Sequence, residues 1–215
     1  MEIWKTMKQS NNETMKIAIV KYNAGNIMSV TFALQRLGIR SIVTSDHEEI
    51  RNADKVIFPG VGEAGTTMEF LQKNDMVELI KGLKQPVLGI CLGMQLMCTF
   101  TEERNTECFG IFEQQVKRFP GNVQDDKGNT VKVPHMGWNS LYDVKGDLYS
   151  TELENEFVYF VHSYYVETGE HTVALTDHII PFSASLQKDN FYATQFHPEK
   201  SGTAGEQILK KFIDL

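Results

Sequence analysis

Four short apolar runs set the limits on what this chain can fold into. They are KIAIV (Lys16 to Val20), IRSIVTS (from Ile39), KVIFPG (from Lys55) and PVLGI (from Pro86). Each contains β-branched residues, and all but IRSIVTS are nearly apolar throughout, as expected of strands covered on both faces. Helical patterns separate them. Val30, Ala33, Leu34 and Leu37 recur at helical spacing from Ile27, and Gly38 stands where a helix would end. Asp46 is placed to cap a short helix reaching Ile50. Met68, Phe70 and Leu71 mark a further helix, Val77 to Leu83 another, and LGMQLMCTF after Gly89-Ile90-Cys91 has helical residues. Strands alternating with helices at these lengths predict a three-layer α/β domain around a mostly parallel sheet.

From Gly110 onward the pattern changes. GIFEQQVKRF, TVKV, FVYFVHSYYV, TVALT, FSASL and FYATQF are β-rich and closely spaced. They predict antiparallel additions and a mixed sheet, closed by a helix from Ala204 to Ile213. The loops TEERNTEC and GNVQDDKGN read as the softest segments. At 215 residues, with 41% apolar and 23% charged, the chain can bury one full core. Residues 1–14, MEIWKTMKQSNNET, are polar, lack a signal-like apolar run and read as a flexible extension. Residues 15–215 then form one domain.

Charge and cysteine usage exclude several functions. A net charge of −7 argues against a partner that is nucleic acid or an anionic membrane. No apolar run is long enough to span a bilayer. Three cysteines, Cys91, Cys98 and Cys108, without a C-x-x-C pair, fit a reducing cytoplasm and no metal site.

Chemistry concentrates at Gly89-Ile90-Cys91-Leu92-Gly93. A strand followed by G-x-C-x-G and a helix is the thiol form of a nucleophile elbow, where small flanking residues permit a sharp turn. The turn lifts the thiol above the strand ends, and the N–H of Leu92 faces where an oxyanion would form. The competing reading is a packed, inert cysteine. A thiol nucleophile needs a base. His197 and Glu199, separated by Pro198 after the strand FYATQF, can supply an imidazole and the carboxylate that orients it. Alone, His-Pro-Glu reads more readily as a surface turn, and it gains force only beside the elbow. The glycine-rich turn FPGVGEAG, with Gly60, Val61 and Gly62, lacks a phosphate-loop ending and fits a second oxyanion donor better.

GICLGMQ, FPGVG and QFHPEKSG together resemble class I (triad) glutamine amidotransferases. YNAGN, PHMGWN and YFVHSY narrow the resemblance to the glutaminase subunits of imidazole glycerol phosphate synthases, of histidine biosynthesis. It covers roughly Met15 to Leu215. It implies a flavodoxin-like fold, no cofactor, and hydrolysis of glutamine through a thioester on Cys91, with His197 as acid/base and Glu199 orienting it. Gln95, Glu103 and Ser163 match substrate-binding positions. Asn26, Tyr159 and Lys200 match positions at the interface with a (β/α)₈-barrel cyclase, which would form a heterodimer with the chain and receive the ammonia. A paralogue serving sugar amination in another pathway is the alternative. His135 and Trp138 in PHMGWN, and Cys98 on the helix after the elbow, read as packing residues.

Overall fold

The computed structural model describes residues 15–23, 26–124 and 126–215. The segment 1–14, expected to be an extension, lies outside the described residues. The first half contains β1 (Ile17–Val20), α1 (Ile27–Arg36), β2 (Ser41–Thr44), α2 (His47–Arg51), β3 (Lys55–Gly60), α3 (Ala64–Lys73), α4 (Met76–Lys81), β4 (Val87–Cys91) and α5 (Leu92–Met97). Asp46 caps α2 as anticipated, its carboxylate accepting from the Glu49 N–H at 2.9 Å. The second half adds β5 (Phe100–Thr101), β6 (Thr106–Glu107), β7 (Gln115–Arg118), β8 (His135–Ser140), β9 (Phe157–His162), β10 (Tyr164–Val166), β11 (Thr172–Asp177), β12 (Pro181–Lys188), β13 (Phe191–Thr194) and α6 (Gly202–Asp214).

One mixed sheet runs β2-β1-β3-β4-β13-β12-β10-β7-β5-β6, with β11 paired to β12. The pairs β2/β1, β1/β3, β3/β4 and β4/β13 are parallel. β12 turns back antiparallel to β13 and carries the antiparallel β10 and β11. The alternation of side chains along a strand builds two cores. Ile17 and Ile19 face one way, with Val30 and Leu34 of α1 and Ile208, Leu209 and Phe212 of α6. Ala18 and Val20 face the other, with Met68 and Leu71 of α3, Leu79 and Ile80 of α4 and Leu96 of α5. Burying each such side chain contributes roughly 1.5–3 kcal/mol, so covering both faces holds the parallel half together.

Four expectations need correction. TVKV forms no strand; only an isolated bridge joins Gln124 to Thr130. Trp138, read as a packing residue, stands 55% exposed on strand β8 (HMGWNS), which pairs antiparallel with β9 in a two-stranded ribbon separate from the main sheet. Cys98 is not helical: α5 stops at Met97, and Cys98 is extended at φ −71°, ψ −177°. It is fully buried, and its carbonyl accepts from Gly110 while the Thr99 carbonyl accepts from Cys108, so pairing with the next segment replaces helix continuation. TEERNTEC is a tight hairpin of β5, a 3₁₀ turn (Glu103–Asn105) and β6 rather than an open loop. Its turn is held by Thr106, whose hydroxyl donates to the Glu103 carbonyl at 2.8 Å.

Beneath the ribbon lies a group of imidazoles. His162 Nδ1 donates to the Tyr164 carbonyl at 2.8 Å, leaving Nε2 to accept from His135 Nδ1 at 3.2 Å. His135 also stacks on His178, ring centroids 4.2 Å apart. Burial, together with the neighbouring imidazoles, lowers the pKa of His135 to about 4. It lowers that of His162 to about 3, against the opposing pull of the Tyr164 carbonyl. Both are therefore neutral in the fold and bind protons near 6.5 when unfolded. Their contribution is complete above pH 6.5 and is lost as pH falls toward the folded values. Stability should drop by about 1.4 kcal/mol per pH unit for each site across that window. Urea midpoints at pH 7 and pH 5 test this; equal midpoints would contradict it.

No helix among the described residues is long and apolar enough to cross a membrane.

Candidate active site

The site lies at the carboxyl ends of β3, β4 and β13, the usual ligand position on a parallel sheet. Cys91 ends β4 and immediately precedes α5. Its backbone has φ 54° and ψ −109°, a region costly for a residue with a Cβ. Pairing of Cys91 with Gly60 of β3 holds it there. The approach between elbow and β3 is close enough to require glycine on both sides. A Cβ on Gly93 would lie 2.1 Å from the Phe58 carbonyl oxygen, and one on Gly60 would lie 2.4 Å from the Gly93 nitrogen. The expectation of small residues around Cys91 thus has its physical cause in β3.

Cys91 is 7% exposed and opens into a cleft of about 350 Å³. Val61, Gly62, Leu92, Gln95, Glu103, Ser163 and His197 line the same cleft. Gly60 is buried behind it at the end of β3, and Gly62 turns the chain at φ 118°. The N–H of Leu92, first residue of α5, has no acceptor within its helix.

His197 reaches the cleft from the segment after β13 and is 1% exposed. Its Nδ1 lies 2.8 Å from Glu199 Oε1. The two residues meet through a 3₁₀ turn, Pro198–Lys200, rather than along an extended chain. Nδ1 donates to the carboxylate, which leaves Nε2, buried and without a partner among the described residues, to accept a proton. Burial pushes the His197 pKa down, but interaction with Cys91 and with Glu199 outweighs it and raises it to about 10. The arrangement therefore favours an imidazolium at His197.

The far wall is set by the β5–β6 hairpin. Glu103 Oε2 accepts from the Ala64 N–H at 2.8 Å, at the start of α3. Burial raises the Glu103 pKa, the Ala64 N–H opposes this, and the Glu63 charge adds to it. A cationic ligand would relieve that unfavourable setting. Glu63 itself is turned away, capping α3 through Gly65 and Thr66 N–H groups and pairing with Arg104 at 3.1 Å. Gln95 Nε2 donates to the Tyr164 carbonyl at 2.9 Å and to Gln195 Oε1 at 3.0 Å. Ser163 sits between β9 and β10, its carbonyl accepting from Phe119 at 3.1 Å.

Asn26, Tyr159 and Lys200 do not line the cleft. Asn26 begins α1, where its Oδ1 accepts from the Ser29 hydroxyl at 2.9 Å, and α1 packs against the Pro198–Lys200 turn. Lys200 Nζ lies 5.9 Å from the centre of the Tyr159 ring, and Trp138 meets the same ring at 6.0 Å.

Sequence reasoning passed over three residues here. Gln195 contacts Cys91 Sγ through Nε2 at 3.7 Å. Ser201 accepts from the Tyr159 N–H at 3.0 Å and donates to the His197 carbonyl at 2.6 Å, while the His197 N–H donates to the Tyr159 carbonyl at 2.9 Å. Tyr22 donates its hydroxyl to the Pro59 carbonyl beside the elbow, and burial and Cys91 push its pKa well up. Gln195 and Ser201 stand inside QFHPEKSG, and Tyr22 opens YNAGN. Their positions were visible, but their contacts were not.

Known proteins share both the sequence and the fold. Subunit HisH of imidazole glycerol phosphate synthase from Bacteroides fragilis is 61% identical over 201 residues, 94% of this chain and 100% of that protein. The subunit of the same name from Bacteroides thetaiotaomicron is 58% identical, again over 94% of this chain and 100% of its own length. The one from Haemophilus influenzae is 43% identical, over 93% of this chain and 98% of its own. Among solved structures, a glutamine amidotransferase superposes with a TM-score of 0.68 at 19% identity, covering 92% of this chain and 97% of its own. PurLQS from Thermotoga maritima superposes with a TM-score of 0.64 at 14% identity, covering 93% and 98%. At those identities the two structures speak for the fold alone. The model of the family described as glutamine amidotransferase class-I matches residues 10–215. With an elbow cysteine, a histidine–glutamate pair in the same cleft and this sheet beneath them, the chain belongs to the class-I glutamine amidotransferase family.

Proposed function

We propose that the chain is the glutaminase of an imidazole glycerol phosphate synthase, hydrolysing glutamine and delivering ammonia to a cyclase partner. The observation that carries the chemistry is the meeting of Cys91, His197 and Glu199 in one cleft. The thiolate of Cys91 attacks the side-chain amide carbon of glutamine. The resulting oxyanion takes hydrogen bonds from the Leu92 N–H and a backbone amide of the Gly60–Gly62 turn. His197, held by Glu199, gives its proton to the departing nitrogen, and ammonia leaves a thioester on Sγ. His197 then takes a proton from water, hydroxide adds to the thioester, and glutamate departs as the thiolate returns. Glu103 balances the α-ammonium group of the substrate, with Gln95 and Ser163 holding the rest of it.

Supporting a partner is the outward face of the β8–β9 ribbon. Met136, Trp138 and Phe157 are 64%, 55% and 57% exposed, and Tyr159 lies across from Trp138 on the same face. Aromatic residues and methionine on a flat strand pair suit a protein interface. We assign this face, with Lys200 and Asn26 at its margin, to the (β/α)₈-barrel cyclase of a cytoplasmic heterodimer. Ammonia passed directly between subunits avoids protonation by water.

A glutaminase assay with and without the cyclase and its ribotide ligand tests the reading. Slow hydrolysis by the chain alone, and a rise when partner and ligand bind, are expected. Equal rates in all three conditions would contradict a coupled glutaminase.

A further inference from the structure

Gln195 is fully buried beside the elbow. Its place follows from the sheet: β13 runs parallel to β4 with Thr194 opposite Ile90, so Gln195 falls next to Cys91 one residue further on. Its backbone N–H is anchored on β12, donating to the Ala184 carbonyl at 2.8 Å.

The side-chain amide has its orientation decided by a chain of donors. The Tyr164 carbonyl accepts from Gln95 Nε2, so the amide nitrogen of Gln95 must face that way. The same nitrogen donates its second hydrogen to Gln195 Oε1 at 3.0 Å. With its oxygen held, Gln195 turns Nε2 toward Cys91 Sγ at 3.7 Å. The reverse orientation would set two amide nitrogens against each other, with no acceptor between them. A second polar contact of Sγ is the Val161 carbonyl at 4.0 Å, which can accept from a thiol but opposes a thiolate. Of these two contacts the amide favours the nucleophilic state, on the same side as the His197 imidazolium, and the carbonyl opposes it.

Resting on the glutaminase reading, we propose that Gln195 supports the Cys91 thiolate by donating a hydrogen bond to Sγ, its amide locked in the donating orientation by Gln95. Because Gln95 also lines the cleft, the residue that grips substrate and the residue that supports the nucleophile share one hydrogen bond. Disturbing either side of that bond disturbs the other.

Two substitutions separate the parts. Gln195→Glu keeps an oxygen for Gln95 but removes the donor to sulfur. Gln195→Met, close in size, removes both. The rate of Cys91 alkylation by iodoacetamide, followed across pH by mass spectrometry of the Cys91 peptide, reports thiolate formation directly. Both variants should move the alkylation midpoint up by about one pH unit or more and lower glutaminase kcat by about tenfold or more. KM should rise only in Gln195→Met.

A purely structural role would lower the thermal midpoint and leave the alkylation midpoint at the wild-type value; that result overturns the proposal. Should neither variant fold, wild-type protein labelled with ¹⁵N-glutamine and its Cys91→Ser counterpart decide the matter. One side-chain amide should follow the Cys91 titration in wild type and lie flat in Cys91→Ser, and its absence overturns the proposal equally. Alkylation does not depend on turnover. Shifted midpoints in a chain that never hydrolyses glutamine would therefore uphold Gln195 and sink the glutaminase reading.

Discussion

Cys91→Ala, in the assembled enzyme, should abolish glutamine-dependent synthesis and leave synthesis from added ammonia unchanged. The elbow turns Sγ into the cleft that His197 also lines, and no other cysteine can take its place. Cys98 is buried, its Sγ 3.5 Å from the Met94 carbonyl, and burial pushes its thiol well up. Cys108 sits beyond the hairpin, where burial and two neighbouring glutamates push its pKa to about 12. Removing a covalent nucleophile leaves only binding and oxyanion stabilisation, so the glutamine-dependent rate should fall by at least about 10⁴-fold. Ammonia added from solution bypasses this chain's chemistry. Steady-state rates with each nitrogen source make the measurement; loss of both activities would contradict the division of labour between subunits.

Gly93→Ala should be among the most disruptive single-methyl changes in the fold. The added carbon would meet the Phe58 carbonyl oxygen at 2.1 Å and its carbon at 3.2 Å. Phe58 belongs to β3, buried between β1 and β4, so neither backbone can move aside without breaking ladder bonds. Overpacking of this kind costs about 3 kcal/mol or more. For a chain of this length that corresponds to a thermal midpoint lower by roughly 8 °C or more. Gly121→Ala is the matching control, since no described residue lies within 4 Å of the position a Cβ would take. Its midpoint should stay near wild type. Equal effects in the two variants would show that the elbow does not depend on its contact with β3.

The parallel half was legible in the chain because its signals are local. KIAIV, KVIFPG and PVLGI carry apolar residues on both sides, and the capping residues Asp46 and Gly38 stand where their helices begin and end. The elbow was legible for the same reason, since G-x-C-x-G between a strand and a helix is a local pattern. TVKV misled because β-branched content measures fit to a sheet surface, and no neighbouring strand offered one. Cys98 misled because helical residues continue past Met97, while the hydrogen bonds there are taken by Gly110 and Ile111 from outside the helix.

The amino-acid order alone therefore determined the alternating strands and helices, the glycine-flanked cysteine and the histidine–glutamate pair, all set by neighbours a few residues apart. Only the tertiary structure decided that Gln195 lies against Cys91, about a hundred residues away in the chain, and that Glu103 is held at the start of α3. It alone set β8 and β9 apart as a ribbon whose backbone bonds reach His197. These contacts depend on sheet register and on which faces pack together, and such long-range pairings leave no periodic trace in the residues that make them.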